Sequence, residues 1–125
     1  MNQAPTVLIV HDDREILGRL VSQLESRAEV WTATNFEDAK SRLAERAPSV
    51  LITSLRLGEY NGLHLIIRCR IDHPATVAFV ISPRSDPAHE AEALKYDATF
   101  LCYPDQEGEL LARVAAALAR RDAES

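Results

Sequence analysis

The sequence has little of what marks membrane-bound, secreted or disulfide-stabilised proteins. Its 125 residues include two cysteines, and no apolar run approaches the ~18 residues that begin to span a bilayer. The N-terminus lacks the charged and apolar segments of a secretion signal. Lone cysteines such as Cys69 and Cys102 are most often buried small apolar side chains. We therefore expect one cytoplasmic domain, without disulfide bonds and without membrane contact.

Positive charge is scarce as well, and so is glycine. The 14 basic residues, of which only two are lysines, are outnumbered by 19 acidic residues, and the net charge is -5. Such an acidic chain makes a poor general surface for nucleic acids. No glycine-rich phosphate loop follows the first apolar run, which disfavours a nucleotide-binding Rossmann domain.

What the sequence does contain is a regular alternation of apolar runs and helical patterns. Runs typical of buried strands occupy residues 6–10, 29–33, 50–53, 76–81 and 99–102. A first helix is predicted after the first run, with Asp12 or Asp13 as its cap. Later helices are predicted at about 36–46, 61–71, 88–96 and 106–120. This order predicts an α/β fold, a flavodoxin-like, doubly wound parallel (βα)5 sheet with strand order 2-1-3-4-5. Residues 1–121 would form the domain, and residues 122–125 a tail or the start of a linker.

Polar residues follow four of the predicted strands at their carboxyl ends. His11 and Asp12 follow the first strand, Ser54 the third, Ser82 the fourth and Tyr103 the fifth. The carboxyl ends of parallel strands meet at one edge of the sheet, where α/β proteins bind their ligands. We therefore expect these five side chains to line one pocket.

In these positions the chain resembles the receiver domain of bacterial two-component response regulators, over its whole length. The family has an acidic pair after strand one, an Asp-Leu-Arg-Leu-like stretch, Ser or Thr after strand four, an aromatic residue on strand five and then Lys-Pro. The corresponding residues here are His11-Asp12, Ser54-Leu55-Arg56-Leu57 with Asn61-Gly62-Leu63 behind it, Ser82, Phe100 and Tyr103-Pro104. The resemblance implies a signalling module of the phosphorelay type.

The chain departs from that family at the residues that carry phosphorylation. In the family the strand-three aspartate accepts a phosphoryl group beside Mg²⁺, and the lysine contacts that group. The resemblance assigns Ser54 and Tyr103 to these two positions, and His11 to one member of the acidic pair. A hydroxyl group cannot form an acyl phosphate, and Asp12 remains as the one candidate metal ligand. We therefore expect no cofactor, with Mg²⁺ binding weak or lost, and no catalytic residue.

The remaining family positions carry expectations of their own. A lysine would be costly in a pocket that has lost its carboxylates, so Tyr103 is a reasonable replacement. We expect Tyr103 to fill part of the phosphate space or to hydrogen-bond toward Asp12 or Ser82, with a cis bond to Pro104. Phe100, the equivalent of the family's switch aromatic, is expected to keep one position.

The resulting prediction is an atypical receiver, or pseudo-receiver, that is not an enzyme. It would act as a phosphorylation-independent protein-interaction or dimerisation module through helix four, strand five and helix five, at about residues 84–118. Any nucleic-acid contact would come from an output domain beyond this chain. An alternative is a sensor that binds a small molecule or anion in the former phosphorylation pocket. A hydrolase using His11 and Ser54 is disfavoured, since no oriented triad or oxyanion hole is visible. Modification of Ser54 by another kinase also remains open.

Overall fold

The chain folds as successive strand–helix units in a computed structural model that describes residues 4–124. The strands and helices, in chain order, are β1 (Thr6–Val10), α1 (Arg14–Leu24), β2 (Glu29–Ala33), α2 (Phe36–Glu45), β3 (Val50–Ser54), β4 (Arg56–Leu57), β5 (Tyr60–Asn61), α3 (Leu63–Asp72), β6 (Val77–Ser82), α4 (Pro87–Lys95), β7 (Ala98–Cys102) and α5 (Glu107–Glu124).

Five of the strands form one parallel sheet in the order β2-β1-β3-β6-β7. Counted within this sheet alone, the order is 2-1-3-4-5, so the predicted doubly wound fold is confirmed. Side chains of α1 and α5 pack on one face of the sheet, and those of α2, α3 and α4 pack on the other. Every residue of β1 and β3 is buried, because helices cover both faces of the central strands.

Short polar side chains start three of the helices. Of the two aspartates predicted as caps of α1, Asp13 is the one whose carboxylate accepts backbone N–H groups of the first turn. Asn35 caps α2 through the backbone N–H of Asp38 at 2.8 Å. Asp86 caps α4, and Pro87 follows it in the first helical turn, where its missing N–H has no cost.

The segment between β3 and α3, for most of which the sequence pattern predicts neither strand nor helix, contains two short strands. Two-residue strands β4 and β5 pair in an antiparallel hairpin, with Gly58 at its tip in the left-handed region at φ 61°. Glycine is also required at Gly62. A Cβ atom there would overlap the carbonyl oxygen of Ser54 and lie 2.8 Å from Thr53 Oγ1. The loop therefore folds back directly onto the end of β3.

The C-terminal helix is longer than predicted. α5 continues to Glu124, whereas the sequence pattern ended it near residue 120, and its alanines, leucines and arginines are strong helix formers. Residues 122–124, predicted to be a tail or linker, thus continue the helix, and Ser125 lies outside the described residues. Across residues 4–124, none of the helices is both long enough and apolar enough to cross a membrane.

The sheet ends on one side at β2, which carries the chain's single tryptophan. Trp31 is half-buried and donates its indole N–H to Glu29 at 3.0 Å. The guanidinium carbon of Arg46 lies over the ring, 4.7 Å from its centroid, in a cation–π contact. This contact covers part of β2, which is an edge strand of the sheet.

Candidate functional site

A cavity of about 630 Å³ opens at the carboxyl edge of β1, β3, β6 and β7. All five side chains expected to converge from the strand ends line it, namely His11, Asp12, Ser54, Ser82 and Tyr103. The sheet topology brings them together, because these four strands are parallel and lie side by side. The cavity therefore joins residues that are up to 92 positions apart in the sequence, from His11 to Tyr103.

Ser54 is the last residue of β3 and is buried at the floor of this edge. Its hydroxyl group donates a hydrogen bond to the backbone carbonyl of Arg56 at 2.8 Å. Among the described residues no hydrogen bond joins it to His11, so nothing prepares the hydroxyl oxygen as a nucleophile. The arrangement is that of a serine whose proton is held by the turn that follows its strand.

His11 is the polar residue that directly follows β1. Its Nδ1 accepts the backbone N–H of Asp13 at 3.0 Å, so the neutral ring carries its proton on Nε2. Burial lowers the pKa of His11, and this outweighs Asp12 and Asp13, which raise it. The 3.5 Å approach of Nδ1 to Asp12 is therefore a polar contact and not an ion pair at neutral pH.

The carboxylates near His11 have different environments. Asp13 is engaged as the cap of α1, with both first-turn N–H groups bound to one of its oxygens. The Asp12 side chain is 55% exposed and has no hydrogen bond among the described residues. Within residues 4–124 no group of three or more His, Cys, Asp or Glu side chains is arranged to hold a metal ion.

Tyr103 lines the cavity, but its hydroxyl group binds neither Asp12 nor Ser82 among the described residues. The bond to Pro104 is cis, as expected. The hydroxyl donates to Glu107 Oε2 at 2.9 Å, so of the two alternatives predicted for Tyr103 the hydrogen bond toward Asp12 or Ser82 is wrong. The ring packs among the apolar side chains of α1 and α5 and is 4% exposed, because that face of the sheet offers it more apolar contact than the open cavity does.

Glu107 receives a second partner from α1. Arg19 binds it with two parallel bonds, Nε to Oε2 at 2.7 Å and Nη2 to Oε1 at 2.8 Å. The hydrogen bonds from Arg19 and then Tyr103 lower the pKa of Glu107 to about 2. Burial first, and then the bond to Glu107, raise the pKa of Tyr103 to about 12. At neutral pH the network is an arginine, a carboxylate and a protonated phenol.

Two arginines also belong to the cavity. Arg56 on β4 and Arg84 on the β6–α4 loop both line it and are exposed. The neighbouring carboxylate, Asp86, accepts the backbone N–H of His89 at 3.2 Å and lies 2.6 Å from its ring Nδ1. These bonds to His89 chiefly lower the pKa of Asp86, and Arg56 adds a smaller attraction from a distance.

Phe100 does not line the cavity of the strand ends. It lies on β7, is 7% exposed, and packs in the core on the face of α2, α3 and α4. It also borders a second cavity, of about 600 Å³, between α4, β7 and α5. Leu94 lies at that cavity with 72% of its surface exposed, near the ion pair of Arg113 with Glu109 at 2.9 Å.

Two features of the site were not predicted from the sequence. The Arg19–Glu107 pair joins α1 and α5 through two residues that are 88 positions apart in the sequence, and no local pattern marks such a pair. Glu107 does follow Tyr103 by four positions, a spacing that brings side chains together on a helix, but the helix begins only at Glu107. The second feature is the position of Arg56, on the two-residue strand β4, and of Arg84, on a loop, because neither segment has a periodicity to recognise.

Comparison with solved structures extends the description of the fold. The Thermotoga maritima response regulator DrrB, an OmpR/PhoB homolog, is 24% identical with a TM-score of 0.82 over 94% of this chain. The chain spans only 54% of DrrB. The receiver domain of a putative LuxO repressor protein from Vibrio parahaemolyticus is 18% identical with a TM-score of 0.86, over 98% of this chain and 95% of that one. A putative response regulator from Chloroflexus aurantiacus is 26% identical with a TM-score of 0.80, over 94% and 99%.

Comparison at the level of sequence gives the family. No curated protein matches the chain. A family model described as the response regulator receiver domain matches residues 7–115, which include every strand of the main sheet except the first residue of β1. With the five-stranded fold and the polar strand ends on one cavity, the chain belongs to the response regulator receiver domain family.

Proposed function

We propose that this receiver domain signals without phosphorylation of an aspartate, as a protein-interaction or dimerisation module. The observation that carries the proposal is the end of β3. By the motif resemblance, Ser54 stands where the family has its phosphoacceptor aspartate, and its hydroxyl group is bound to the Arg56 carbonyl at 2.8 Å. A serine offers neither the negative charge that attracts a metal nor the carboxyl group of an acyl phosphate.

The donor set around the cavity does not fit the Mg²⁺ on which receiver phosphorylation depends. Mg²⁺ prefers oxygen ligands in octahedral geometry and is usually held by one or two carboxylates. Asp13 is engaged as a helix cap, and the Nδ1 of His11 already accepts a backbone N–H group. Asp86 caps α4, so Asp12 is the single carboxylate of the cavity that is not engaged as a cap, and we propose that Mg²⁺ binding at this site is weak or lost.

Tyr103 supports the same proposal. By the motif resemblance it replaces the lysine that contacts the phosphoryl group, and its hydroxyl group is bound to Glu107. The site thus has no cation from this position to stabilise a phosphoryl group. Serine, histidine and tyrosine together give a site of low charge, which is consistent with a stable alternative and not with a single disabling substitution.

Receiver domains act through protein partners or by dimerising, and we propose that this chain does so through the face of α4, β7 and α5. The face carries the cavity of about 600 Å³ and the exposed Leu94 side chain. An exposed leucine next to an apolar cavity, rimmed by the Glu109–Arg113 pair, has the character of an interface centre with a polar rim. In a longer protein the partner could be an output domain, including one that binds DNA.

The phosphorylation proposal is tested with acetyl phosphate and Mg²⁺, using intact-protein mass spectrometry. We expect no phosphorylated species from the wild-type chain. The matched control carries Ser54→Asp and Tyr103→Lys, with His11→Asp added, and we expect it to become phosphorylated because the scaffold around the cavity is retained. An acyl phosphate on the wild-type chain would contradict the proposal, whatever the variant does.

The interface proposal is tested by Leu94→Asp, with Ile71→Asp as the control. Both residues are strongly exposed, at 72% and 75%, but Ile71 lies on α3, away from the proposed face. We expect Leu94→Asp alone to weaken self-association in sedimentation equilibrium, or partner capture by a photo-cross-linker placed at position 91. Equal behaviour of the two variants would argue against the face.

A second candidate function is favoured by the cavity at the strand ends. Its volume of about 630 Å³ lies within the range of small-molecule sites, about 300–1,000 Å³. The domain could then sense a small molecule or anion, with binding transmitted to the α4–β7–α5 face through the β6–α4 loop, whose residues line the cavity. Thermal-shift screening tests this function, because a ligand that binds only the folded state raises the melting temperature with concentration.

A further inference from the structure

Two exposed arginines line the strand-end cavity without a direct carboxylate partner among the described residues. Arg56 and Arg84 line the cavity, and within the described residues neither lies within 4.0 Å of a carboxylate. Two of the three aspartates that line the same cavity are engaged as helix caps, Asp13 on α1 and Asp86 on α4. Asp12 is the third and is mostly in solvent.

Apolar side chains also line the cavity. Leu55, Ile81 and Tyr103 belong to its lining, although each is almost fully buried. His11 adds no further positive charge, because burial lowers its pKa and the ring is neutral at pH 7. The cavity therefore combines two arginines that have no salt bridge, an apolar lining, two carboxylates that cap helices and one carboxylate that is mostly in solvent.

We infer that the cavity binds a small organic anion whose carboxylate or phosphate group is held by Arg56 and Arg84, with its apolar body against Leu55 and Ile81. This inference rests on the second function proposed above, ligand sensing, and names the class of ligand. Guanidinium groups bind carboxylates and phosphates through two parallel hydrogen bonds, which gives geometric selectivity as well as charge. A purely apolar ligand would leave both arginines without a partner.

The test is a titration followed by ¹⁵N–¹H correlation spectra of the whole chain. Phenyl phosphate and benzoate carry both an apolar ring and an anionic group, whereas inorganic phosphate lacks the ring and benzyl alcohol lacks the charge. We expect shifts at the backbone amides of residues 54–56 and 81–85 with the first two probes, and about tenfold weaker binding of the last two. The relative affinities of phenyl phosphate and benzoate identify which anionic group the arginines prefer.

The variants Arg56→Gln and Arg84→Gln separate the role of charge from that of shape. Each is expected to weaken phenyl phosphate binding about tenfold, because a charge-assisted hydrogen bond is lost. The control is Arg68→Gln, which changes an exposed arginine of α3 outside the cavity and should leave the affinity unchanged. The spectra also report whether each variant is folded.

Two contrary outcomes have different meanings. If benzyl alcohol binds as tightly as benzoate, or if Arg56→Gln and Arg84→Gln bind phenyl phosphate like the wild type, the inference of an anionic ligand is wrong while ligand sensing survives. If no probe shifts the cavity amides at any accessible concentration, both the inference and the sensing function fall. The phosphorylation test is independent of either result.

Discussion

Removal of the Tyr103 hydroxyl group should lower the stability of the fold by a measurable amount. The hydroxyl donates to the Glu107 carboxylate, and the ring is almost fully buried between α1 and α5. A hydrogen bond to a charged group contributes about 1.5–3 kcal/mol to the free energy of unfolding. Glu107 keeps both bonds from Arg19, so we expect Tyr103→Phe to cost about 1.5 kcal/mol, at the lower end of that range.

The same network should make stability depend on acid pH, with a defined sign. The folded pKa of Glu107 is about 2, below the ordinary value of 4.5, so its ionised form stabilises the fold. This contribution is complete above pH 4.5 and is lost as pH falls toward 2. Arg19 is largely exposed, and solvent screening limits the contribution of Glu107 to about 1 kcal/mol rather than the larger value that the pKa alone would imply.

Urea unfolding followed by circular dichroism measures both effects. Tyr103→Phe and Glu107→Gln are compared with the wild type at pH 7 and pH 3, with Tyr60→Phe as a control, since the Tyr60 side chain is exposed and forms no hydrogen bond among the described residues. The deficit of Glu107→Gln should shrink at pH 3. A Tyr103→Phe variant as stable as the wild type, or a Glu107→Gln deficit equal at both pH values, would refute the reasoning.

Three further substitutions or measurements test other parts of the structure. Gly62→Ala should lower the free energy of unfolding by about 3 kcal/mol, measured by thermal unfolding, because the new Cβ would overlap the end of β3. Gly18→Ala, with open space around the new Cβ, should be neutral or stabilising. Similar effects of the two substitutions would contradict the close approach at Gly62. Asp13→Ala should lower the free energy of unfolding in urea by about 1 kcal/mol, because the first-turn N–H groups of α1 lose their acceptor. An unchanged stability would contradict the role of Asp13 as the cap. A thiol reagent should modify Cys102 well before Cys69, because burial raises the pKa of the Cys69 thiol and blocks access; equal rates would argue against that environment.

The sequence was sufficient to predict the main sheet and the residues at its edge. Continuous apolar runs identify strands that are buried on both faces, and parallel strands bring their carboxyl ends to one edge whatever the helices between them do. That is why His11, Ser54, Ser82 and Tyr103 could be expected at one cavity from their positions after the runs. The strand order followed from the common solution for five such units.

Side-chain directions within the site could not be predicted in the same way. The position of Tyr103 followed from the strand pattern, but its partner depended on Arg19 and Glu107, which approach it only once α1 and α5 have packed on the same face. The β4–β5 hairpin was missed because strands of two residues have no periodicity to recognise. The choice between Asp12 and Asp13 as cap required the exact geometry of the first turn.

The position of Trp31 limits what intrinsic fluorescence can report about this protein. Trp31 is the only tryptophan, and it lies on β2 beneath Arg46, whereas the strand-end cavity is bordered by β1, β3, β6 and β7. Its emission should therefore follow unfolding of the sheet edge and remain nearly unchanged when a ligand occupies the cavity. A spectroscopic sensor of occupancy would need an indole introduced beside the cavity, for example by Pro83→Trp, with the native fluorophore as an internal reference for the integrity of the fold.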